Sequence, residues 1–190
     1  MRKARKLSRR QYCKIYSLVP RMTIDLIIFY KGGLVLSKRD IPPCKGMWHL
    51  PGATMLLGET LFEAAKRIAK EEVNIAVNPL GIAGIKEYSR KTAFGQVVAI
   101  VFIAKGIRGQ LHGNEYAREV DVFTKLPRRM IKEQRDMLIS LGIVDSNGLV
   151  KISSDEELKQ FMRNLITFED RLWKCPHEGR NSSWRGWDEA

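Results

Sequence analysis

This chain of 190 residues contains short runs of β-branched and aromatic residues, which are typical of strands, and segments with apolar residues three and four apart, which are typical of helices. Runs rich in β-branched and aromatic residues predict five strands, at residues 22–30, 33–39, 81–88, 96–105 and 119–123. Lys31-Gly32-Gly33 predicts a turn that joins the first two strands as a hairpin. The run at 96–105 is almost wholly apolar, and we therefore expect it near the centre of the sheet.

Apolar residues spaced three and four apart predict helices between and after these strands. The central helix is predicted to begin after Thr60, because Thr60 and Glu63 match a capping box, and its apolar positions continue to Val73. Further elements are predicted as helices at 8–18, 128–141 and 155–166, a short strand at 149–152, a turn at 78–79 and loops at 40–46 and 106–113. This order of elements predicts an α/β fold with a mixed sheet between helices.

The central helix carries Arg67, Glu71 and Glu72 on a flank beside its apolar stripe. Two adjacent carboxylates that follow a glycine-bearing loop suit magnesium, which is held by one or two carboxylates together with substrate phosphates. A bare pair of glutamates is more often a solvated helix edge, because charged residues are mostly exposed. The spacing of the surrounding residues is needed to decide between these interpretations.

That spacing follows a specific pattern. Leu50-Pro51-Gly52 leads into the segment from Ala53 to Ile75, which resembles the signature of the Nudix hydrolases without a gap. The signature is G-x5-E-x7-R-E-U-x-E-E-x-G-U, in which U is an aliphatic residue. Its acidic and basic positions are matched here by Glu59, Arg67, Glu71 and Glu72. Three positions depart from it, namely Ala53 at the first glycine, Ile68 at the glutamate after the arginine and Asn74 at the closing glycine.

The resemblance covers roughly residues 20–141 and implies a Nudix-like α/β/α sandwich. It implies hydrolysis of a nucleoside diphosphate linked to another group, with Mg²⁺ as the cofactor and Mn²⁺ as the alternative. The metal ligands would be Glu71, Glu72 and the carbonyl of Gly52. Glu59 and Arg67 would hold the loop to the helix, and the Arg67 guanidinium also suits a phosphate. Asn74 is compatible with the pattern, because asparagine is the next residue after glycine in preference for a left-handed helix cap.

A general base is expected in the loop before the strand at 119–123. Residues 113–119 resemble the Nudix segment whose glutamate often completes the metal site, and Glu115 matches that glutamate best. His112 is a second candidate, because histidine titrates in the useful pH range. An exposed glutamate in a loop is also commonly inert.

A narrower resemblance links the chain to the GDP-mannose mannosyl hydrolase branch. It rests on Leu7-Ser8, Tyr12, Ile15, Pro20, Asp25, Ser37-Lys38-Arg39 and Trp48. That branch also lacks the glutamate at the Ile68 position, and it implies that Arg39 and Asp25 bind substrate. The branch has an arginine where Thr54 stands here, and the loop histidine that acts as its general base aligns near Ala117. The alternative is that Asp25 and Arg39 form an internal polar pair or are surface charges.

The formal net charge of +12 is concentrated at the start of the chain, where residues 1–21 hold eight basic residues and no acidic one. Such an arm can contact nucleic acid or another anionic surface. We favour a solubilising arm over nucleic-acid binding, and basic charge also suits anionic phosphate substrates. No apolar run approaches 18 residues, so no membrane-spanning helix is expected. Three widely separated cysteines, Cys13, Cys44 and Cys175, are typical of reduced thiols and indicate a cytoplasmic protein.

The predicted organisation is a basic arm at 1–21, a Nudix domain at 22–142 and an extension at 143–190. The extension consists of one helix and a tail with Trp173, Trp184 and Trp187, which we expect to dock on the domain or across a homodimer. Two functional hypotheses follow from the sequence. One is a magnesium-dependent hydrolase of a nucleoside diphosphate derivative, such as a nucleotide sugar. The other, favoured by Ile68, is a weakly active or inactive Nudix-fold binding or regulatory module.

Overall fold

Four helices and seven strands make up the part of the protein that the computed structural model describes, which is residues 7–88 and 95–172, with side chains as far as residue 165. In chain order they are α1 (Arg9–Tyr16), β1 (Arg21–Tyr30), β2 (Gly33–Lys38), β3 (Trp48–His49), β4 (Gly52–Thr54), α2 (Leu61–Val73), β5 (Ile75–Tyr88), β6 (Val97–Gly109), β7 (Glu119–Phe123), α3 (Lys132–Ser140) and α4 (Asp155–Leu172). The residues 1–6, 89–94 and 173–190, including the three tail tryptophans, lie outside the described part.

The seven strands form one sheet, which is mixed as predicted, although the short strands β3 and β4 are not among the predicted ones. Its main path runs β3-β2-β1-β6-β5, with β4 paired to β1 and β7 paired to β2. β1 and β2 form the predicted hairpin, in which Tyr30 lies opposite Gly33. β1 and β6 are parallel, whereas the other paired strands are antiparallel. The apolar β6 lies between β1 and β5, so its predicted central position is confirmed.

Helices cover both faces of the sheet. Successive side chains of β1 point to opposite faces, so this strand contributes apolar side chains to both. Ile24, Leu26 and Ile28 pack with α2 in one buried cluster. Ile27 and Phe29 pack in a second cluster on the other face, which is covered by α3, α4 and the segment between them. The predicted α/β/α sandwich is therefore confirmed.

The predicted turn at Asn78-Pro79 is wrong, because both residues lie inside β5, which begins at Ile75. Burial alternates from Ile75 to Pro79, as in a strand with one buried side. Proline is tolerated there because β5 is at the end of the strand order, and register shifts occur on both sides of it. The predicted loop at 106–113 is also wrong in its first half, since β6 continues to Gly109.

Helix boundaries differ from the prediction mainly at the end of the chain. α3 begins four residues later than predicted, after Ile131, which makes no side-chain capping hydrogen bond. α4 is six residues longer than predicted. The predicted strand at 149–152 is reduced to isolated bridges, in which Leu149 pairs with Lys125 and Val150 with Val144. Among the described helices, none combines the length and the apolar character that a membrane-spanning segment requires.

Candidate active site

Both ends of α2 are fixed by capping groups. The Thr60 side chain accepts a hydrogen bond from the Glu63 amide at 3.2 Å, and the Glu63 carboxylate accepts one from the Thr60 amide at 2.8 Å. This is the predicted capping box. At the other end Asn74 is left-handed, with φ 58°, and its Nδ2 donates to the Gln110 carbonyl at 3.0 Å. The helix therefore presents its last turn at a defined position beside the start of β5.

Arg67 connects α2 to the loop before it. Its Nε donates to Glu59 Oε1 at 2.5 Å, and its Nη2 donates to Glu59 Oε2 at 3.0 Å and to the Thr54 carbonyl at 3.1 Å. Glu59 also accepts from the Leu56 amide at 3.0 Å. The guanidinium of Arg67 lowers the pKa of the Glu59 carboxyl, and Glu59 raises the pKa of Arg67 in return. These contacts hold β4 and its loop against the helix.

The adjacent carboxylates lie at the last turn of α2 and have different surroundings. Glu71 is 39% exposed at its side chain and accepts from Arg67 Nη1 at 3.3 Å. Glu72 is partly buried, and its Oε1 accepts from Asn114 Nδ2 at 3.0 Å. The Asn114 side chain also accepts from the Tyr116 amide at 2.9 Å, so the loop after β6 is held against the carboxylate pair.

The described residues provide two carboxylates for a metal ion rather than a complete protein cage. No group of three or more His, Cys, Asp or Glu side chains in residues 7–88 and 95–165 is placed to hold a metal. Glu71 and Glu72 nevertheless fit magnesium, which takes oxygen ligands and commonly binds one or two carboxylates plus substrate phosphates and water. Magnesium bound here would therefore depend on the substrate for part of its coordination.

Gly52 lies in β4 directly opposite Asp25 of β1. A Cβ atom at Gly52 would come within 2.5 Å of Asp25 Oδ1 and within 2.9 Å of the Ile24 carbonyl oxygen, so only glycine fits. Ala53, which departs from the Nudix signature, is not among the residues with positive φ. Alanine is therefore accommodated at that position without backbone strain.

Asp25 is an internal polar residue, only 7% exposed. Tyr88 donates its hydroxyl proton to Asp25 Oδ2 at 2.5 Å, and Gln134 Nε2 lies 3.4 Å from the same oxygen. Burial raises the pKa of Asp25 to about 6, although both donors and the nearby Arg21 lower it. The pKa of Tyr88 is raised by burial and by Asp25. The structure thus places Asp25 beneath the surface, with partners from β5 and α3.

Arg39 follows β2 at the beginning of the loop at 40–46. Its Nε donates to the Pro43 carbonyl at 2.8 Å. Burial lowers the pKa of Arg39, while Cys44 and the charge of Glu72 raise it. His49 is buried in the same region, where desolvation and Arg39 lower its pKa to about 4. The imidazole is consequently neutral at physiological pH.

The two candidates for the general base lie near the end of α2. The His112 amide donates to the Val73 carbonyl at 3.3 Å, and its side chain is exposed. Glu115 is also exposed, and its hydrogen bond raises the pKa of Tyr116. The charge of Glu72 also raises the pKa of Tyr116.

Three residues at this site, Arg21, Tyr88 and Gln134, are not identified by the sequence pattern, and Tyr12 is part of the narrower resemblance only, without an indication of what it contacts. Tyr12 Oη and Thr54 Oγ1 are 2.9 Å apart, and Arg21 donates to the Tyr12 hydroxyl and packs over its ring. α1 is thereby joined to β4. These contacts span from 9 to 109 residues, and no local motif indicates them. The short-range Arg67–Glu59 contact, in contrast, coincides with the family signature.

Comparisons with known proteins agree with this geometry. The model of the NUDIX domain family matches residues 19–126. A Methanocaldococcus jannaschii protein named ADP-ribose pyrophosphatase is 30% identical over 166 residues, which are 85% of this chain and 86% of that protein. The low-salt glycan biosynthesis protein Agl8 of Haloferax volcanii is 40% identical over 63 residues, which are 33% of this chain and 40% of that protein.

A solved structure shows the same architecture. The MutT NUDIX hydrolase from Burkholderia pseudomallei superposes with a TM-score of 0.57 at 25% identity, over 63% of this chain and 96% of that chain. The family model alone spans more than half of the sequence. The chain therefore belongs to the Nudix family. It is a hydrolase of the class that acts on nucleoside diphosphate derivatives, and the predicted family and enzyme class are confirmed.

Proposed function

We propose that this protein is a magnesium-dependent hydrolase that cleaves the diphosphate bond of ADP-ribose or a closely related compound. One observation carries the proposal: Glu71 and Glu72 are consecutive residues in the last turn of α2, where Arg67 binds the Glu71 carboxylate and Asn114 binds the Glu72 carboxylate. The relative named ADP-ribose pyrophosphatase supports the substrate class, because its similarity extends over 85% of this chain.

Hydrolysis at the diphosphate requires charge neutralisation, an aligned water molecule and a group that takes its proton. A magnesium ion, when bound, would neutralise phosphate charge and lower the pKa of a bound water. Glu71, Glu72 and the Gly52 carbonyl would hold that ion. Arg67 would keep Glu71 in place, and Asn114 would do the same for Glu72, through the hydrogen bonds already described.

The remaining roles fall to residues around this pair. The Arg39 guanidinium, whose pKa the charge of Glu72 raises, would bind a phosphate oxygen of the substrate. Glu115 would accept the proton of the attacking water, which forms a bond to phosphorus while the bridging oxygen leaves with the other phosphate. His112 is the alternative base. Because Asp25 is buried beside Gly52, we assign it to holding the Leu50-Pro51-Gly52 turn rather than to direct contact with substrate.

GDP-mannose is the competing substrate. The Nudix signature has a glutamate at the position of Ile68, so this chain lacks that carboxylate. The Ile68 side chain is instead fully buried in the cluster beneath α2. The GDP-mannose mannosyl hydrolase branch, which this chain resembles, lacks the carboxylate too. Buried Ile68 also supports the other hypothesis, a Nudix-fold binding module with little activity.

A substrate panel with Mg²⁺ or Mn²⁺ tests the proposal and separates these alternatives. We expect ADP-ribose to yield AMP and ribose 5-phosphate, whereas GDP-mannose turnover would release GDP or GMP and identify the bond that breaks.

Glu72→Gln should lower kcat by about a hundredfold or more, because it removes one of two carboxylate ligands. Glu156→Gln, at an exposed residue of α4, is the matched control and should retain activity. Absence of turnover across the panel, with ADP-ribose binding retained, would refute hydrolysis and favour the binding module.

A further inference from the structure

Gln134 lies beyond residues 19–126, the range that the family model matches, and yet it reaches the site. It is in the first turn of α3 and is only 5% exposed. A buried glutamine must satisfy one carbonyl oxygen and one amide nitrogen, since an unpaired buried polar group costs stability. The hydrogen-bond partners of Gln134 therefore show which segments the first turn of α3 is attached to.

The Gln134 side chain joins three separate segments. Its Oε1 accepts from the Leu50 amide at 2.8 Å, and its Nε2 donates to the Tyr88 hydroxyl at 3.1 Å. The same Nε2 lies 3.4 Å from Asp25 Oδ2. The orientation of the amide group is determined by Leu50, because a backbone N–H can be paired only with the carbonyl oxygen. One side chain thus connects β1, the end of β5 and the residue that precedes the Pro51-Gly52 turn.

The turn at Leu50-Pro51-Gly52 is consequently held from both faces of the sheet. On the α3 face, Gln134 binds the Leu50 amide, and the Asp25 carboxylate fills the space left by the missing side chain of Gly52. On the α2 face, Arg67 binds the carbonyl of Thr54, two residues after Gly52. A shift of Leu50 would therefore be transmitted to Gly52, because only one residue separates them.

We propose that Gln134 is a positioning residue that sets the Leu50-Pro51-Gly52 turn relative to α2, so that α3 is part of the active site. This inference rests on the proposed function, in which the Gly52 carbonyl is a metal ligand. Gln134 does not contact the reacting atoms. It acts through the backbone of the turn, with Tyr88 and Asp25 holding its amide group in place.

Gln134→Met tests this, because it removes all three polar contacts while nearly conserving side-chain volume. We expect kcat for ADP-ribose to fall by about 10- to 100-fold with little change in KM, as a small misplacement of a catalytic group produces. The Mg²⁺ concentration for half-maximal activity should rise. Leu138→Ala is the matched control, since Leu138 is a fully buried residue of the same helix. It should lower the melting temperature and leave kcat and the Mg²⁺ dependence unchanged.

A merely structural role would give the opposite pattern, with both variants equally destabilised and kcat unchanged in both. That result would overturn the proposal. Should Gln134→Met fail to fold, Tyr88→Phe takes its place, because it removes one partner of the Gln134 amide and keeps the ring. A decrease in kcat of several-fold with a raised Mg²⁺ requirement supports the proposal, whereas wild-type values contradict it.

Hydrogen exchange provides a readout that does not depend on turnover. The wild-type Leu50 amide should exchange slowly, and Tyr88→Phe should accelerate exchange at Leu50 and Gly52 without affecting β6. Fast exchange of Leu50 in the wild type would refute the Gln134 contact itself. If the wild type cleaves no compound of the panel, the proposed function fails, while the exchange data still decide whether Gln134 holds the turn.

Discussion

Asp25 lies in the middle of a strand whose neighbouring side chains are apolar, and burial changes its acid–base behaviour. Its pKa is raised from 3.8 to about 6, while that of His49 is lowered from 6.5 to about 4. The two shifts act on stability in opposite directions. The folded state binds the Asp25 proton more tightly than the unfolded state, so that stabilisation is lost as the pH rises through 6. The folded state resists protonation of His49, so stability is lost as the pH falls from 6.5 to 4.

Asp25→Asn should separate the two contributions. Asparagine retains an oxygen that can accept from the Tyr88 hydroxyl but cannot ionise. The free energy of unfolding of the variant relative to wild type should be constant below about pH 4 and increase through pH 6. The total increase should be on the order of 3 kcal/mol, since one pKa unit corresponds to about 1.4 kcal/mol. Urea unfolding between pH 3.5 and 8 measures it, with exposed Asp136→Asn as the control. A difference that is independent of pH would contradict the raised pKa of Asp25.

At the scale of elements, local signals account for α2 almost completely. Thr60 and Glu63 indicate its start, the spacing of apolar residues gives its length, and Asn74 gives its end. The boundaries of β5 and β6 were not predictable in the same way, because the pairing of 12 residues of β5 with β6 outweighs the turn preference of Asn78-Pro79. Likewise, the candidate metal ligands follow from the signature, whereas the contacts of Gln134 and Tyr12 arise only when distant segments meet.

Asn74 provides a test of the cap that ends α2. A left-handed conformation disfavours residues other than glycine, asparagine and aspartate. Asn74→Ala should therefore destabilise the protein by roughly 1–2 kcal/mol, through backbone strain and loss of the bond to the Gln110 carbonyl. Asn74→Gly restores the residue of the Nudix signature and loses the same side-chain bond without the backbone strain, so it should destabilise the protein by only about 0.5 kcal/mol. Equal stability of the two variants in chemical denaturation would show that the cap conformation does not determine the end of α2.

At the scale of the whole molecule, the family model matches residues 19–126, but the hydrophobic core extends further, to Met162. Seven of the fifteen buried residues in the cluster on the α3 and α4 face come from after residue 126. They are Met130, Leu138, Ile143, Val144, Ile152, Leu158 and Met162. Residues on both sides of the boundary predicted at 142 therefore pack against the same side of the sheet. The division into domains stays a prediction, but the core shows that the extension begins with residues that cover β1 and β2.

The size of this contribution leads to a prediction about truncation. Burial of each large apolar side chain is worth roughly 1.5–3 kcal/mol, so the loss of seven removes about 10–20 kcal/mol. A typical domain has a total stability of about 5–15 kcal/mol. A chain ending at residue 126 should therefore fail to fold, even though it retains the whole Nudix signature. A chain ending at residue 153 loses two of the fifteen buried residues, Leu158 and Met162, together with the partly buried Phe161 and Leu165, and should retain partial stability. Circular dichroism melting and dye binding to exposed apolar surface distinguish these states, and a cooperative melt of the shorter chain would show that the sheet is stable without α3 and α4.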